Sequence, residues 1–563
     1  MKIKNIKKWL PVLALALTTT GCSNLDVDVK SQYTDANFPS TAADMASVCG
    51  PVYTVFKVDL GRWFWLEQTL PTDECMFATN GNNWWDNGSY VTLSLHNWAT
   101  DNGQSWTVWN DLFSAISTTN QVLSILNAAP DTDQKTRAIA EVRAMRALYY
   151  FWAMDNFGAL PIVTAFGQDT PQRSPRPEVA QFIESELKDC MGSLTTEVSS
   201  STYAKPTKYM AEALLAKLYL NWAVYTTSDV SNYTPTAANS HLNDVVTLCD
   251  DIIKAGKYNL SDDWIGKFKD TNGSQIKDFI FAVPYNWSTD NTDLGGGLTH
   301  FRFWGNARMA STFNLKKTPS GPVRALSAFV DKYNLPNDVR NKIWRGGIQY
   351  NEGTTTQFYV KTTKKGYDNY YTGTDGGDTY NWPFELSKEL VLRGADQSDY
   401  ATRVSKSDLG DDERGKAMGW RNVKFYPSAE STTNFASNDF PIFRYADVLM
   451  MKAEAILRGA TATNGETAAS LVSQIRTCAG APTVTTIDLD GLLDERAREF
   501  SDENWRRNDL IRFGKFENDW TIIDQPRSGK ANFDKYRRIF PIPYAIVQQN
   551  ASIGWTQNPG YAN

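Results

Sequence analysis

The stretch from Asp133 to Phe157 constrains this chain more than any other. Apolar side chains recur near helical spacing at Ile139, Val142, Met145, Leu148, Tyr149 and Trp152, which puts them on one face of an α-helix. Gly158 supplies the stop and Pro161 prevents continuation. A helix this long and this aromatic has to bury its apolar face against other helices. The chain offers suitable neighbours. A second helix is expected from Thr207, its N-cap, to about Tyr225, with Leu214, Leu215, Leu218 and Trp222 on the apolar side. Further helices are expected at 106–128, 176–194, 240–256, 444–458, 464–478 and 488–512. Short connections and the small residues Ala144, Ala147, Ala213 and Ala216 suggest stacked, tetratricopeptide-like helical hairpins. No clean repeat of about 34 residues is visible.

The middle of the chain reads differently. From about Lys267 to Asn438 it is rich in Gly, Asn, Asp, Thr and aromatics, as in Asn291–Gly297 and Thr374–Asp378. These are turn and loop signals, with short strands expected at Phe279–Val283 and Gln357–Lys361. The fold class expected is therefore mainly α: a helical scaffold at about 35–265 and 439–563, carrying a long irregular insertion at about 267–438 within one domain.

The N-terminus is an address. Met1–Lys8 is basic, Trp9–Leu17 is apolar, and Thr18-Thr19-Thr20-Gly21-Cys22 follows. This is the pattern of a secretory signal, and it is too short for a membrane span. Gly21-Cys22 resembles a bacterial lipobox, with Thr19 where that box usually has an aliphatic residue. Cleavage would remove residues 1–21 and leave Cys22 as the lipidated first residue; several acyl chains on it would hold the protein at a membrane. The remaining five cysteines, Cys49, Cys75, Cys190, Cys249 and Cys478, are widely spaced and include no C-x-x-C. Buried thiols fit this pattern better than a disulfide framework, with one disulfide left open. Net charge is −6 and deepens once Lys2, Lys4, Lys7 and Lys8 are removed, which disfavours a nucleic-acid partner.

Five motifs in order carry a resemblance. Glu141–Trp152 with Phe157-Gly158-Ala159-Leu160-Pro161 is the first, and Lys205–Leu220 the second. Phe443–Ala455 is the third and most specific. Asp494–Phe500 followed by Trp505–Arg512 is the fourth, with Asn504 where a basic residue is common. Phe540-Pro541-Ile542-Pro543 and Gln557–Tyr561 close the chain. Together they resemble the SusD/RagB family over most of the mature chain. Arg143, Arg146, Arg444, Asp447, Glu495, Arg498 and Glu499 in these motifs are read as partly buried ion pairs joining helices. The resemblance implies an outer-membrane lipoprotein, facing the cell surface, with tetratricopeptide-like units. It implies a partner, a TonB-dependent SusC-like β-barrel transporter, and a captured oligosaccharide or peptide. It implies no catalysis and no cofactor.

The chain has 19 Trp, 25 Tyr and 27 Phe, and several tryptophans sit in Asn- and Gly-rich surroundings. Sugar receptors need flat aromatic platforms for C–H faces, with Asn, Asp or Arg for hydroxyls. Asn82, Asn83, Trp84, Trp85 and Asp86 supply both in one short loop. Tyr285 with Trp287, and Arg302 with Trp304, have the same character; Trp65 and Trp382 are weaker candidates. A glycan is the expected ligand, and a peptide or glycopeptide the alternative. A glycoside hydrolase is poorly supported: there are three His, no H-E-x-x-H and no G-x-S-x-G. Gly410–Ala417 nearly spells a phosphate loop but lacks the hydroxyl residue. Asp290–Asp293 lacks calcium-loop spacing and is read as a solvated acidic turn, so no metal site is expected.

Overall fold

A computed structural model describes residues 38–81, 83–260, 263–290, 297–362, 380–391, 406–433, 435–520, 522 and 532–562. Cys22 and the leader lie outside the described residues. The Asp133–Phe157 helix begins where the Thr132 hydroxyl accepts the Lys135 N–H at 3.0 Å, and it ends at Gly158. There φ is +76°, which glycine adopts without a Cβ clash. The helix is more than one-sided: every residue from Ala144 to Phe157 is buried. It lies between the Gly103–Ala128 and Arg176–Met191 helices. The C-terminal segment covers its end, with the Phe540 N–H donating to Asn156 O and the Asn558 amide to Phe157 O. Tyr150 and Phe151 therefore meet partners that the periodicity of a single stripe does not anticipate.

The second expected helix forms as Lys208–Leu220 and Trp222–Thr226, with the Thr207 hydroxyl accepting the Met210 N–H. Lys208–Leu220 packs on Leu242–Ala255, which packs on Tyr445–Leu457, which packs on Ala468–Cys478. This succession of helix pairs is the tetratricopeptide-like scaffold. The expected helix at 488–512 is instead two, Leu489–Phe500 and Arg506–Arg512. Between them Asp502 and Asn504 take φ of +67° and +66°, a left-handed turn that a helix cannot contain. Every sheet among the described residues is two-stranded. Phe279–Val283 pairs antiparallel with Phe440–Arg444, tying the middle of the chain to the start of the Tyr445–Leu457 helix. The strand expected at 357–361 runs Tyr359–Thr362 and pairs with Tyr380–Pro383.

The motif charges are locked in buried pairs. Arg444 contacts Asp278, Glu499 and Glu503 at 2.7–2.8 Å, and Arg340 contacts Asp338, Glu495 and Glu499. Arg143 and Arg146 both hold Glu186, while Asp447 forms ion pairs with Lys217 and Arg496. Arg498 pairs with Glu495. Burial alone would raise the Glu495 carboxyl, but Arg340, Arg498 and Arg476 outweigh it and hold it down at about 2. Cys49, Cys75, Cys190 and Cys249 are buried, Cys478 is partly exposed, and no disulfide occurs among the described residues. Burial pushes the Cys49 and Cys190 thiols up to about 12.

Candidate functional site

The early loop, Gly81–Gly88, folds against its usual preferences. Trp84, Asp86 and Asn87 all have positive φ (65°, 41° and 54°), alongside Gly81 and Gly88. Each such non-glycine residue costs on the order of 1–3 kcal/mol and persists only where its surroundings impose it. Here they do. The Gly81 N–H donates to Asp408 Oδ1 at 2.8 Å, and the Asn80 amide donates to Gly410 O at 2.6 Å. Asn80 Oδ1 in turn accepts from the buried Arg324. The loop is thus clamped to the 406–410 segment, more than 300 residues away in sequence.

The clamp presents indoles at a surface. Trp84 and Trp85 are half-buried. The Trp84 ring meets Phe77 edge-on at 5.9 Å and Phe303 at 5.8 Å. Phe77 stacks on Tyr90 at 4.4 Å, and Tyr90 stacks on the half-buried Trp63 at 6.4 Å. The Arg62 guanidinium lies 3.7 Å over Trp63 and 5.9 Å from Phe303. Arg302 reaches the same Phe303 ring at 5.8 Å. Lys406 lies 5.2 Å over Trp85, whose ring is braced by Gly88: a Cβ there would come within 3.2 Å of it. Asn83 and Asp86 are exposed on the rim.

Two guanidiniums on this face form no ion pair among the described residues, and the Nε atoms of Arg62 and Arg302 are buried without a hydrogen-bond partner. Burial lowers both below the ordinary arginine range, and the Arg62 charge lowers Arg302 further. The face therefore offers flat apolar rings flanked by two guanidiniums that no carboxylate neutralises among the described residues, an arrangement suited to a polyhydroxylated ring.

The structure brings Asn83, Trp84, Trp85, Asp86 and Arg302 to this region; Asn82 lies outside the described residues. Three other expectations need correction. Trp304 is 1 % exposed and Trp65 0 %, and both indoles donate inward to Asp502. Tyr285 is 4 % exposed, and its hydroxyl donates to Lys57 O. These rings are core because a distant carboxylate or carbonyl satisfies their polar atoms. Trp287 is half-buried, held by its backbone N–H to Ser437 Oγ at 3.1 Å, and Trp382 is half-buried in the Tyr380–Pro383 strand. Sequence reasoning missed Arg62 and Trp63. Gly61-Arg62-Trp63-Phe64-Trp65 had the same aromatic density as the early loop, but Trp65 drew the choice. The near-phosphate loop is structural: Asp412 caps the Glu413–Ala417 helix and Glu413 holds Arg308. Asp290 pairs with Lys57 at 2.6 Å, and residues 291–293 lie outside the described residues.

Comparison with known proteins agrees with this architecture. Residues 222–561 match the model of the SusD family, and residues 27–220 match a family described as starch-binding, associating with the outer membrane. The starch-binding protein SusD of Bacteroides thetaiotaomicron is 26% identical over 517 residues, covering 87% of this chain and 84% of that protein. Among solved structures, a SusD homolog from the same species superposes with a TM-score of 0.68 at 19% identity, covering 94% of this chain and 98% of the other. Surface glycan-binding protein A from Bacteroides thetaiotaomicron, in complex with laminarihexaose, gives 0.65 at 17% identity, covering 92% of this chain and all of that one. With its motifs, its helical scaffold and a family model spanning most of its length in agreement, the chain belongs to the SusD/RagB family.

Proposed function

We propose that this protein is a surface lipoprotein that captures a glycan on the Trp63–Trp84–Trp85 face and passes it to a TonB-dependent SusC-like transporter. The observation that carries the reading is the pairing of half-exposed indoles with the unpaired guanidiniums of Arg62 and Arg302. Sugar C–H faces stack on the indoles, and the hydroxyls accept from the arginines and from Asn83. A strained loop clamped from behind keeps the platforms in place before the ligand arrives, so little ordering entropy is lost on binding. The relative named for starch binding and the structure solved with laminarihexaose support a carbohydrate as the ligand class. Cys22 supplies the lipid anchor, and acidic Asp26 and Asp28 lie in the tether that follows it. The Gly81–Gly88 loop and the 267–438 stretch form the ligand-facing part of a single domain.

The test is isothermal titration of protein lacking residues 1–22 against a panel of neutral polysaccharides, with Trp63→Ala, Trp84→Ala and Trp85→Ala alongside. Binding to one glycan class, weakened roughly 30-fold by loss of a central indole worth about 2 kcal/mol, supports the site. Binding that survives all three substitutions sinks the site, and binding to peptides alone moves the ligand class.

A further inference from the structure

A cavity that shares no residue with the aromatic face lies where the chain leaves the Asp133–Phe157 helix and meets the C-terminal segment. It has a volume of about 380 Å³ and is lined by both polar and apolar side chains, within the range of small-molecule sites. Two arginines line it. Arg176 is only 6 % exposed, and its Nε is buried with no hydrogen-bond partner. Its Nη1 reaches only a carbonyl, Val224 O at 3.3 Å, and its guanidinium lies 4.8 Å over the Tyr225 ring. Arg173 donates to Ala159 O, Asn558 Oδ1 and Thr556 O. Neutral acceptors satisfy its hydrogens without neutralising its charge.

Neither arginine forms an ion pair among the described residues. By contrast Arg340, Arg444, Arg496, Arg506, Arg507 and Arg512 each hold a carboxylate, while the buried Arg324 and Arg421, like Arg173, are held by neutral acceptors. The acid in the lining, Asp229, accepts the Ser231 N–H with Oδ1 at 2.8 Å and pairs with neither arginine. Asp155, the acid nearest to Arg176 in electrostatic effect, already holds Arg507 at 2.9 Å. The positive end of the Arg176–Met191 helix adds to the field, since Pro175 at its N-cap has no side chain to cap it; Glu178 in the first turn is exposed. Burial lowers both guanidiniums below their ordinary range, the cost expected of a desolvated cation without a counter-charge. Apolar Trp555 and Ile539 complete the lining.

From this geometry we infer that the cavity is an oxyanion site, taking the carboxylate or sulfate of an acidic monosaccharide unit against Arg173 and Arg176 with its ring beside Trp555. The inference does not rest on the aromatic face: neutral glycan would bind there whether or not this cavity takes an anion.

The experiment titrates the protein lacking residues 1–22 with galacturonate, galactose 6-sulfate, inorganic sulfate and galactose. Intrinsic tryptophan fluorescence serves as a second readout, with Trp555→Phe as the control that assigns the change to that ring. A sugar acid is expected to bind at least tenfold more tightly than galactose, and Arg176→Gln is expected to weaken it at least tenfold while leaving neutral-glycan binding unchanged. Thr556→Glu, at an exposed position on the lining, places a competing carboxylate there and repeats the loss should Arg176→Gln fail to fold. Equal affinity for inorganic sulfate keeps the oxyanion site and assigns it a free anion. Galactose binding as well as galacturonate, no binding in any arm, or anion binding indifferent to both variants overturns the inference.

Discussion

Trp65 and Trp304, more than two hundred residues apart in sequence, donate their indole N–H groups to the same oxygen, Asp502 Oδ1, at 2.7 and 3.0 Å. The shared acceptor fixes the turn between the Leu489–Phe500 and Arg506–Arg512 helices against the early helices and the middle of the chain. Trp304→Phe keeps an aromatic ring but removes one donor and the pyrrole half of the buried indole. It is expected to lower the free energy of unfolding by about 1.5–3 kcal/mol and to leave glycan affinity within twofold. Chemical denaturation alongside titration reads both; a large loss of binding without loss of stability would return Trp304 to the ligand site.

Buried acids make stability depend on pH in an unusual direction. Burial pushes Glu67 up to about 8 and Asp502 up to about 7, and it raises Glu74 and Asp59 as well. Asp59 is raised further by its contact with Asp111. In the unfolded chain these groups ionise near pH 4, so between there and their folded values the native state binds more protons. Stability from this set is full below pH 4 and is lost as pH rises. His300, lowered well below its ordinary value by burial, acts the opposite way below about 6.5. Lys217, lowered to about 8 by burial, opposes the acids above that point. In the window from about 6.5 to 8 the acids stand unopposed by either, and each retained proton corresponds to about 1.4 kcal/mol per pH unit. Thermal unfolding should show Tm falling across that window; a flat or rising Tm refutes the assignment.

Arg444 sits among three carboxylates, Asp278, Glu499 and Glu503. Arg444→Met would remove the one cation that all three share, leaving Asp278 to Lys267, Glu503 to Lys424 and Glu499 to Arg340, and removing one member of such a set costs about 3–5 kcal/mol. Denaturant titration of the variant should show that loss. A change under 1 kcal/mol would mean that Lys267 and Lys424 neutralise the cluster without it.

Gly88 tests the brace behind Trp85. With its φ of +81° a methyl group there is strained, and the 3.2 Å approach requires the indole to give way by a few tenths of an ångström. Gly88→Ala is expected to cost about 1 kcal/mol in stability and to weaken glycan binding several-fold by displacing Trp85. Unchanged affinity would remove Trp85 from the binding face.

The scaffold was largely legible in the sequence because its signals are local. Helical spacing, Thr207 and Gly158 mark the helix ends, and the structure puts Asp133–Phe157 at those limits. The break at Ser501–Trp505 was not legible: Asp502 leaves the helix for the sake of two indoles that no local pattern connects to it. The same non-local contact hid the difference between Trp304 and Trp84. Both are aromatics near Asn and Arg, and only their partners in space separate core from surface. Arg62 and Trp63 escaped for the converse reason, since Trp63 is tethered by Tyr90, brought there by the fold of an early loop.

The thiols have a practical corollary. Four lie inside the packed interior, and Cys478, at the end of a helix, is the partly exposed one. In protein lacking residues 1–22, a maleimide dye should therefore attach at one position without any engineering of the chain. Its helix contributes no residue to the aromatic face or to the cavity beside Arg176, so a fluorophore there is suited to following docking onto the proposed transporter in real time.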